Sequence, residues 1–96
     1  MNLKKILTKK RSNILEIVAC YGARNVRLFG SVARGDTGPE SDIDLLIDPG
    51  PEMSLFTHAE LARELEDLIG CKVNLVSDRG LRPRVRERVL KEAVPL

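Results

Sequence analysis

The chain has 96 residues, of which 43% are hydrophobic and 31% charged, and this is the composition of one globular domain. Its net charge of +2 conceals a segregation: residues 1–35 hold eight Lys/Arg and one acid, residues 36–67 ten acids and one base, and residues 68–96 seven bases and three acids. A plain nucleic-acid binder would be basic throughout, and no run of about 18 apolar residues is present for a membrane span, so composition disfavours both classes.

The N-terminal segment predicts a helical region. Apolar residues recur at helical spacing over residues 3–21, and a polar run at 8–13 interrupts them. Asn13 with Glu16 three residues later predicts a capping box that restarts the helix. The basic start lacks the continuous apolar stretch of a secretory signal, so we expect none.

Two cysteines, Cys20 and Cys71, stand far apart in the sequence without a C-x-x-C motif. This pattern favours small buried side chains over a disulfide or a metal pair. We therefore expect the chain to work in a reducing compartment, the cytoplasm.

A short strand is predicted over residues 26–29, followed by Gly30 and Ser31. Gly30 permits a sharp turn, and a short helix beginning near Ser31 would aim its backbone N–H groups outward, with the Ser31 hydroxyl as a further donor. The pair therefore predicts an anion cradle, and an ordinary strand-to-helix turn with Ser31 as N-cap is the structural alternative. No G-x-x-x-x-G-K-[ST] loop occurs, which excludes a P-loop NTPase. Residues 34–41 are rich in turn formers and predict a loop.

Residues 42–48 predict a strand with period-two alternation. One face carries Ile43, Leu45 and Ile47, and the other carries Asp42, Asp44, Leu46 and Asp48. Asp42 and Asp44 thus point to the same side, about 6–7 Å apart at the backbone, where both side chains can reach one cation. Hard carboxylate oxygens of this kind suit Mg²⁺, which also binds substrate phosphates. Two solvated aspartates on an open sheet face are the alternative.

The remaining elements are a helix over about 54–69, a strand over 72–76 and a final helix from Pro83 to about residue 93. The buried side of that last helix is predicted to consist of Val85, Val89 and Leu90. The pattern as a whole predicts an α/β (α+β) fold: a small mixed sheet of about three to four strands with helices packed on one face. We expect residues 1–96 to form a single domain.

The cradle and the paired carboxylates together carry a family resemblance. The string Phe29-Gly-Ser-Val-Ala-Arg-Gly-Asp36, followed by Ser41-Asp-Ile-Asp-Leu-Leu-Ile-Asp48, resembles the minimal nucleotidyltransferase (MNT) domains of the DNA polymerase β-like nucleotidyltransferase superfamily. The resemblance covers nearly the whole chain and implies the nucleotidyltransferase fold.

The resemblance also implies a role for each motif residue. Asp42 and Asp44 would be catalytic and hold Mg²⁺ on the triphosphate of ATP. Gly30 and Ser31 would cradle the phosphates. Arg34 would add a phosphate contact, with a solvated charge beside Asp36 as its alternative.

One position departs from the family pattern. Family members usually carry a third catalytic carboxylate on the next core strand, and the matching residue here is Asn74. An amide cannot act as a general base, and losing a positioned base typically costs about 10²–10⁴-fold in rate. Asp48 and Asp78 stand too far along their segments to be ready replacements. Two hypotheses therefore remain: a working nucleotidyltransferase with reduced or partner-assisted activity, and an impaired protein that acts by binding.

The resemblance further implies a setting, because MNT proteins are commonly the antitoxins of HEPN-type toxins, and some transfer AMP from ATP to a toxin tyrosine. The arginine-rich tail over residues 79–91 is the candidate docking surface, and a solvated helix face is its alternative. RNA is the weakest partner class, since only 3% of residues are aromatic. A homo-oligomer stays open. His58, the single histidine, is expected at the surface or boundary and not on a metal.

Overall fold

The computed structural model describes residues 3–35 and 42–96. In this part of the chain the helices are α1 (Leu3–Lys9), α2 (Arg11–Cys20), α3 (Gly30–Arg34), α4 (Leu55–Ile69) and α5 (Pro83–Glu92). The strands are β1 (Arg24–Phe29), β2 (Ile43–Asp48), β3 (Val73–Ser77) and β4 (Val94–Pro95), and a 3₁₀ turn at Asp78–Gly80 follows β3. None of the helices described is long and apolar enough to cross a bilayer.

The four strands form one mixed sheet in the order β3-β2-β1-β4. β1 pairs antiparallel with β2 and with β4, whereas β2 and β3 are parallel. The predicted mixed sheet with an α/β fold is therefore confirmed. The sequence did not indicate β4, because two residues that include a proline carry no strand periodicity.

The hydrophobic core lies between one face of the sheet and helices α1, α2 and α4. Alternation in β2 places Ile43, Leu45 and Ile47 in this core, and each is fully buried, as the pattern predicted. The helices contribute a stripe of buried residues each: Leu3 and Leu7, Ile14 and Val18, and Leu61, Leu65 and Ile69.

The N-terminal helical region breaks at a single residue. Lys10 lies between α1 and α2 with φ −99° and ψ 9°, and the backbone N–H of Ile14 still donates to its carbonyl. The predicted capping box was wrong, because Asn13 already lies inside α2. The expectation of two buried cysteines was also wrong: both thiols are free, but Cys20 is exposed and Cys71 is only half-buried.

Helix α5 differs from the prediction in its packing. Its expected buried side is wrong: the structure buries none of its residues, Val89 and Leu90 are only half-buried, and Val85 is 47% exposed. In the sheet order, the connection β2–α4–β3 runs toward one edge, and the connection β3–α5–β4 runs back toward the other edge. Both connections join parallel strands, and such crossovers are right-handed, so α4 and α5 lie on opposite faces of the sheet. α5 therefore lies on the thinly covered face, and this placement explains its exposure.

A charged cluster covers part of that second face. Leu28 points into the core, so its neighbour Arg27 points to the opposite side, where it lies beside Leu46 on β2. Arg27 pairs with Asp78 at 3.4 Å, and Asp78 accepts from Arg86 of α5 at 2.6 Å. Leu46 is fully buried although it shares its face with the aspartates, and Arg27 is its register partner on β1.

Candidate active site

Strand pairing brings the predicted site residues to one end of the sheet. Asp44, the second residue of β2, is level with Phe29 at the end of β1 and with Asn74 near the start of β3. Asp42 immediately precedes β2 on the same side. All of these aspartate and asparagine residues are half-buried, so their side chains are accessible to a ligand.

The Asn74 amide joins the two carboxylates. Its Nδ2 donates to Oδ1 of Asp44 at 3.0 Å and reaches Oδ2 of Asp42 at 3.4 Å. Both carboxylates therefore lie within hydrogen-bond reach of one nitrogen. The prediction that Asp42 and Asp44 converge is confirmed by this geometry, and the matching of Asn74 with them on the next strand is confirmed by the register.

Gly30 lies directly against Asp44. Its φ of +74° is in the left-handed region, and a Cβ built at this position would collide with Oδ2 of Asp44 and come within 3.0 Å of its Cγ. Ser31 follows as the second residue of the short helix α3, which starts where the sequence predicted. The turn that contains Gly30 and the paired aspartates thus lie next to each other, although they are separated by about ten residues of sequence.

Arg34 is oriented by α5. Its Nη1 donates to both carboxylate oxygens of Glu92, at 3.1 and 3.2 Å, and both side chains remain partly exposed. This ion pair ties α3 to the last turn of α5. Asp36, the alternative neighbour of Arg34, lies outside the described residues.

Two other acids on described strands and turns of the sheet, Asp48 and Asp78, are already paired with arginines. Asp48 pairs with Arg24 at 3.5 Å at the far end of β2. Hydrogen bonding to Arg86, supported by the charge of Arg86 and by Arg27, holds the pKa of Asp78 below its ordinary value. Neither acid is in the site, which agrees with the sequence argument. The cluster of Asp78 with its two arginines had no signal in the sequence.

His58 and Cys71 have structural surroundings. Nε2 of His58 lies 2.8 Å from the Leu75 carbonyl oxygen, which fixes the half-buried ring between α4 and β3 as expected for a boundary residue. Burial, followed by the negative charges of Asp42 and Glu66, raises the pKa of the Cys71 thiol. The thiol is therefore protonated at neutral pH and is a poor nucleophile.

The donor set fits one hard divalent cation. Asp42 and Asp44 offer carboxylate oxygens on the same side, Asn74 has an amide oxygen, and no described cation is paired with either aspartate. Within residues 3–35 and 42–96, no group of three or more His, Cys, Asp or Glu side chains is placed to hold a metal. The site therefore differs from a carboxylate triad in the one residue that the sequence singled out.

Comparison with known proteins agrees with this geometry. The nucleotidyltransferase domain family matches residues 3–96. The protein adenylyltransferase MntA of Thermococcus cleftensis is 35% identical over 92 residues, which are 96% of this chain and 90% of MntA. A solved structure described as a minimal nucleotidyltransferase is 48% identical, with a TM-score of 0.89, and the match covers 100% of this chain and 97% of that one.

Two toxin–antitoxin complexes share the fold at lower identity. One, solved with AMP-PNP, has a TM-score of 0.77 and 22% identity over 88% of this chain and 69% of that one. The other, MntA–HepT, has a TM-score of 0.58 and 24% identity over 96% of this chain and 66% of that one. With the match over residues 3–96 and the site at the start of β2, the chain belongs to the nucleotidyltransferase domain family, and its relatives include a protein adenylyltransferase.

Proposed function

We propose that this protein is a Mg²⁺-dependent protein adenylyltransferase, and that it acts in the cytoplasm as the antitoxin of a HEPN-type toxin. The reaction would transfer AMP from ATP to a hydroxyl group of that partner. The observation that carries the proposal is the contact between Gly30 and Asp44, because it brings the two halves of the sequence motif into one site.

The site residues have separate tasks in this reaction. Asp42 and Asp44 would hold the cation, and the missing side chain of Gly30 lets Asp44 lie directly against the turn whose backbone N–H groups would face the phosphates. Ser31 would donate its hydroxyl to a phosphate oxygen, and Arg34 would add charge from α3. Bound Mg²⁺ would neutralise the charge of the triphosphate and that of the leaving pyrophosphate.

The transfer of AMP does not require a base from the protein. The oxygen of the acceptor hydroxyl forms a bond to the α-phosphorus of ATP, and the bond from that phosphorus to the bridging oxygen of the β-phosphate breaks. Pyrophosphate leaves, and the hydroxyl proton passes to water. Asn74 cannot take this proton, because a neutral amide is not a base. We therefore expect slow transfer compared with a site that has a carboxylate at this position, by a factor of about 10²–10⁴.

The names of relatives support the adenylyl group and the partner class. One relative is called a protein adenylyltransferase, and structures with the same fold are toxin–antitoxin complexes, one of which contains the ATP analogue AMP-PNP. The HEPN class of the partner is proposed from the resemblance of the sequence motif to the MNT domains.

Asn74 also supports a second candidate function. With no third carboxylate and an amide that donates to both aspartates, the protein could keep the nucleotide site and neutralise its partner by binding alone. The two functions differ in one product, the adenylylated partner.

Helix α5 is the surface that we propose for the partner. Arg84 and Arg88 are exposed and one helical turn apart, and neither forms an ion pair with another described residue. Like charges at this spacing disfavour the helix, so an acidic partner surface would relieve them. Replacing both with Glu should weaken partner binding at least about tenfold while the thermal stability stays unchanged. The matched control, Lys4 and Lys9 replaced with Glu on α1, should bind as wild type, and equal binding by both variants in a pull-down would contradict this surface.

The test of function uses α-labelled ATP, Mg²⁺ and a HEPN-type partner, which is to be sought in the reading frame next to the gene of this chain. We expect label on the partner with wild type and none with Asp44→Asn. A larger signal with Asn74→Asp would show that the native protein is an enzyme limited at this position. Neutralisation of the toxin by Asp44→Asn without any label would favour the binding function instead.

A further inference from the structure

We propose that Asn74 limits this site to a single divalent cation, so that the protein binds one metal ion where a third carboxylate would allow two. The proposal rests on the proposed function, in which the site binds Mg²⁺. It concerns the number of cations that the site binds, and not the acceptor or the partner.

The first argument is charge. Asp42 and Asp44 supply two negative charges, which one divalent cation neutralises. Among the residues that the structure describes, Asp48 and Asp78 cannot contribute, because Asp48 is paired with Arg24, and Asp78 with two arginines. A second divalent cation in the protein site would meet an already neutral group of ligands and would be repelled by the first.

The second argument is hydrogen bonding. Asn74 presents its N–H side to Oδ1 of Asp44 at 3.0 Å and to Oδ2 of Asp42 at 3.4 Å. The other oxygen of Asp44, Oδ2, lies against Gly30. The N–H groups of the amide thus lie between the two carboxylates, and their partial positive charge repels a cation. A cation that takes these oxygens must displace the N–H groups and turn the Asn74 amide.

An aspartate at position 74 would change both the charge of the site and its hydrogen bonds. It would remove the two N–H···O contacts and place a third carboxylate within about 3–4 Å of the other two. Three carboxylates repel one another without metal, and with one divalent ion bound they keep one negative charge, which attracts a second ion. The first ion should bind to Asn74→Asp at least about tenfold more tightly than to wild type. A tenfold change in affinity needs only about 1.4 kcal/mol, which one added charge near the ion can supply.

The experiment is a Mn²⁺ titration of the purified chain, followed by electron paramagnetic resonance of free Mn²⁺, with wild type, Asn74→Asp and Asn13→Asp. Asn13 is exposed on α2, so its substitution adds the same charge away from the site. We expect one ion for wild type and for Asn13→Asp, and two ions for Asn74→Asp. In ¹⁵N spectra of wild type, Mg²⁺ should shift the Asn74 side-chain amide resonances.

Two ions or none in wild type would overturn the proposal, and so would a single ion in folded Asn74→Asp. Thermal unfolding shows whether Asn74→Asp folds. If it does not, the proposal is tested by the number of ions bound to wild type and by the shift of the Asn74 amide resonances. An unmoved Asn74 resonance in Mg²⁺-saturated protein would overturn the proposal. One bound ion together with an unlabelled partner would leave this inference standing and refute the adenylyl transfer.

Discussion

Gly30→Ala should lower both the stability of the fold and the affinity of the metal site, whereas its matched control, Gly22→Ala, should lower stability alone. The two glycines have nearly the same backbone, with φ +74° and +79°. Any other L-residue in this left-handed conformation lowers the free energy of unfolding by about 1–2 kcal/mol. Each kcal/mol should lower the melting temperature by roughly 4–8 °C. Gly22 has no atom within 4 Å of an added Cβ, and this backbone cost should be its entire effect.

Gly30→Ala has a further cost. The added Cβ would collide with Oδ2 of Asp44, so that side chain must move and give up its 3.0 Å bond from Asn74. A lost hydrogen bond to a charged group adds about 1.5–3 kcal/mol, which predicts a total loss of about 2.5–5 kcal/mol.

Urea denaturation gives both free energies of unfolding, and Mn²⁺ titration of the folded variants gives the effect on the site. We expect weaker Mn²⁺ binding for Gly30→Ala alone. Equal losses of stability with unchanged Mn²⁺ affinity in both variants would refute the contact between the Gly30 turn and Asp44.

Three further predictions concern the scaffold. Because the folded pKa of Asp78 is lowered by Arg86, its charged form stabilises the fold above the ordinary carboxyl pKa of about 3.9 and loses that effect as the pH falls through the folded pKa. The melting-temperature gap between wild type and Asp78→Asn should therefore be full at pH 6–7 and close on acidification below about pH 4; a constant gap would contradict the cluster. Leu61→Ala should cost about 2–5 kcal/mol, since Leu61 is fully buried, whereas Phe56→Ala should cost under about 0.5 kcal/mol, because Phe56 is 79% exposed; similar losses in urea denaturation would contradict the burial pattern. Arg34→Ala should cost at most about 1 kcal/mol, because its ion pair with α5 is partly exposed, and if Arg34 also contacts phosphate, the KM for ATP should rise; an unchanged KM would remove Arg34 from the nucleotide site.

Much of the core and the site followed from local patterns in the sequence. The alternation of β2 assigned Ile43, Leu45 and Ile47 to the core and both aspartates to the other face, and the structure agrees. The matching of Asn74 with Asp44 needed the register of β3, which the family resemblance supplied and the strand pairing confirms.

The errors arose where tertiary packing decides. The apolar stripe of α5 predicted burial, but the topology places this helix on the face with little cover, and Val85 is 47% exposed. The cluster of Arg27, Asp78 and Arg86 joins residues up to 59 positions apart, and no periodicity reports such a meeting. Leu46 is the same case: the sequence placed it beside the aspartates, but its burial depends on neighbours that only the fold brings to it.

The central claim is adenylyl transfer to a protein partner, and the intact mass of that partner tests it most directly. A HEPN-type partner identified in the neighbouring reading frame should be co-expressed with wild type or with Asp44→Asn, purified, and measured by mass spectrometry. The account predicts that the partner gains the mass of AMP with wild type and stays unmodified with Asp44→Asn. An unmodified partner in a stable complex with the wild-type protein, at saturating ATP and Mg²⁺, would contradict it.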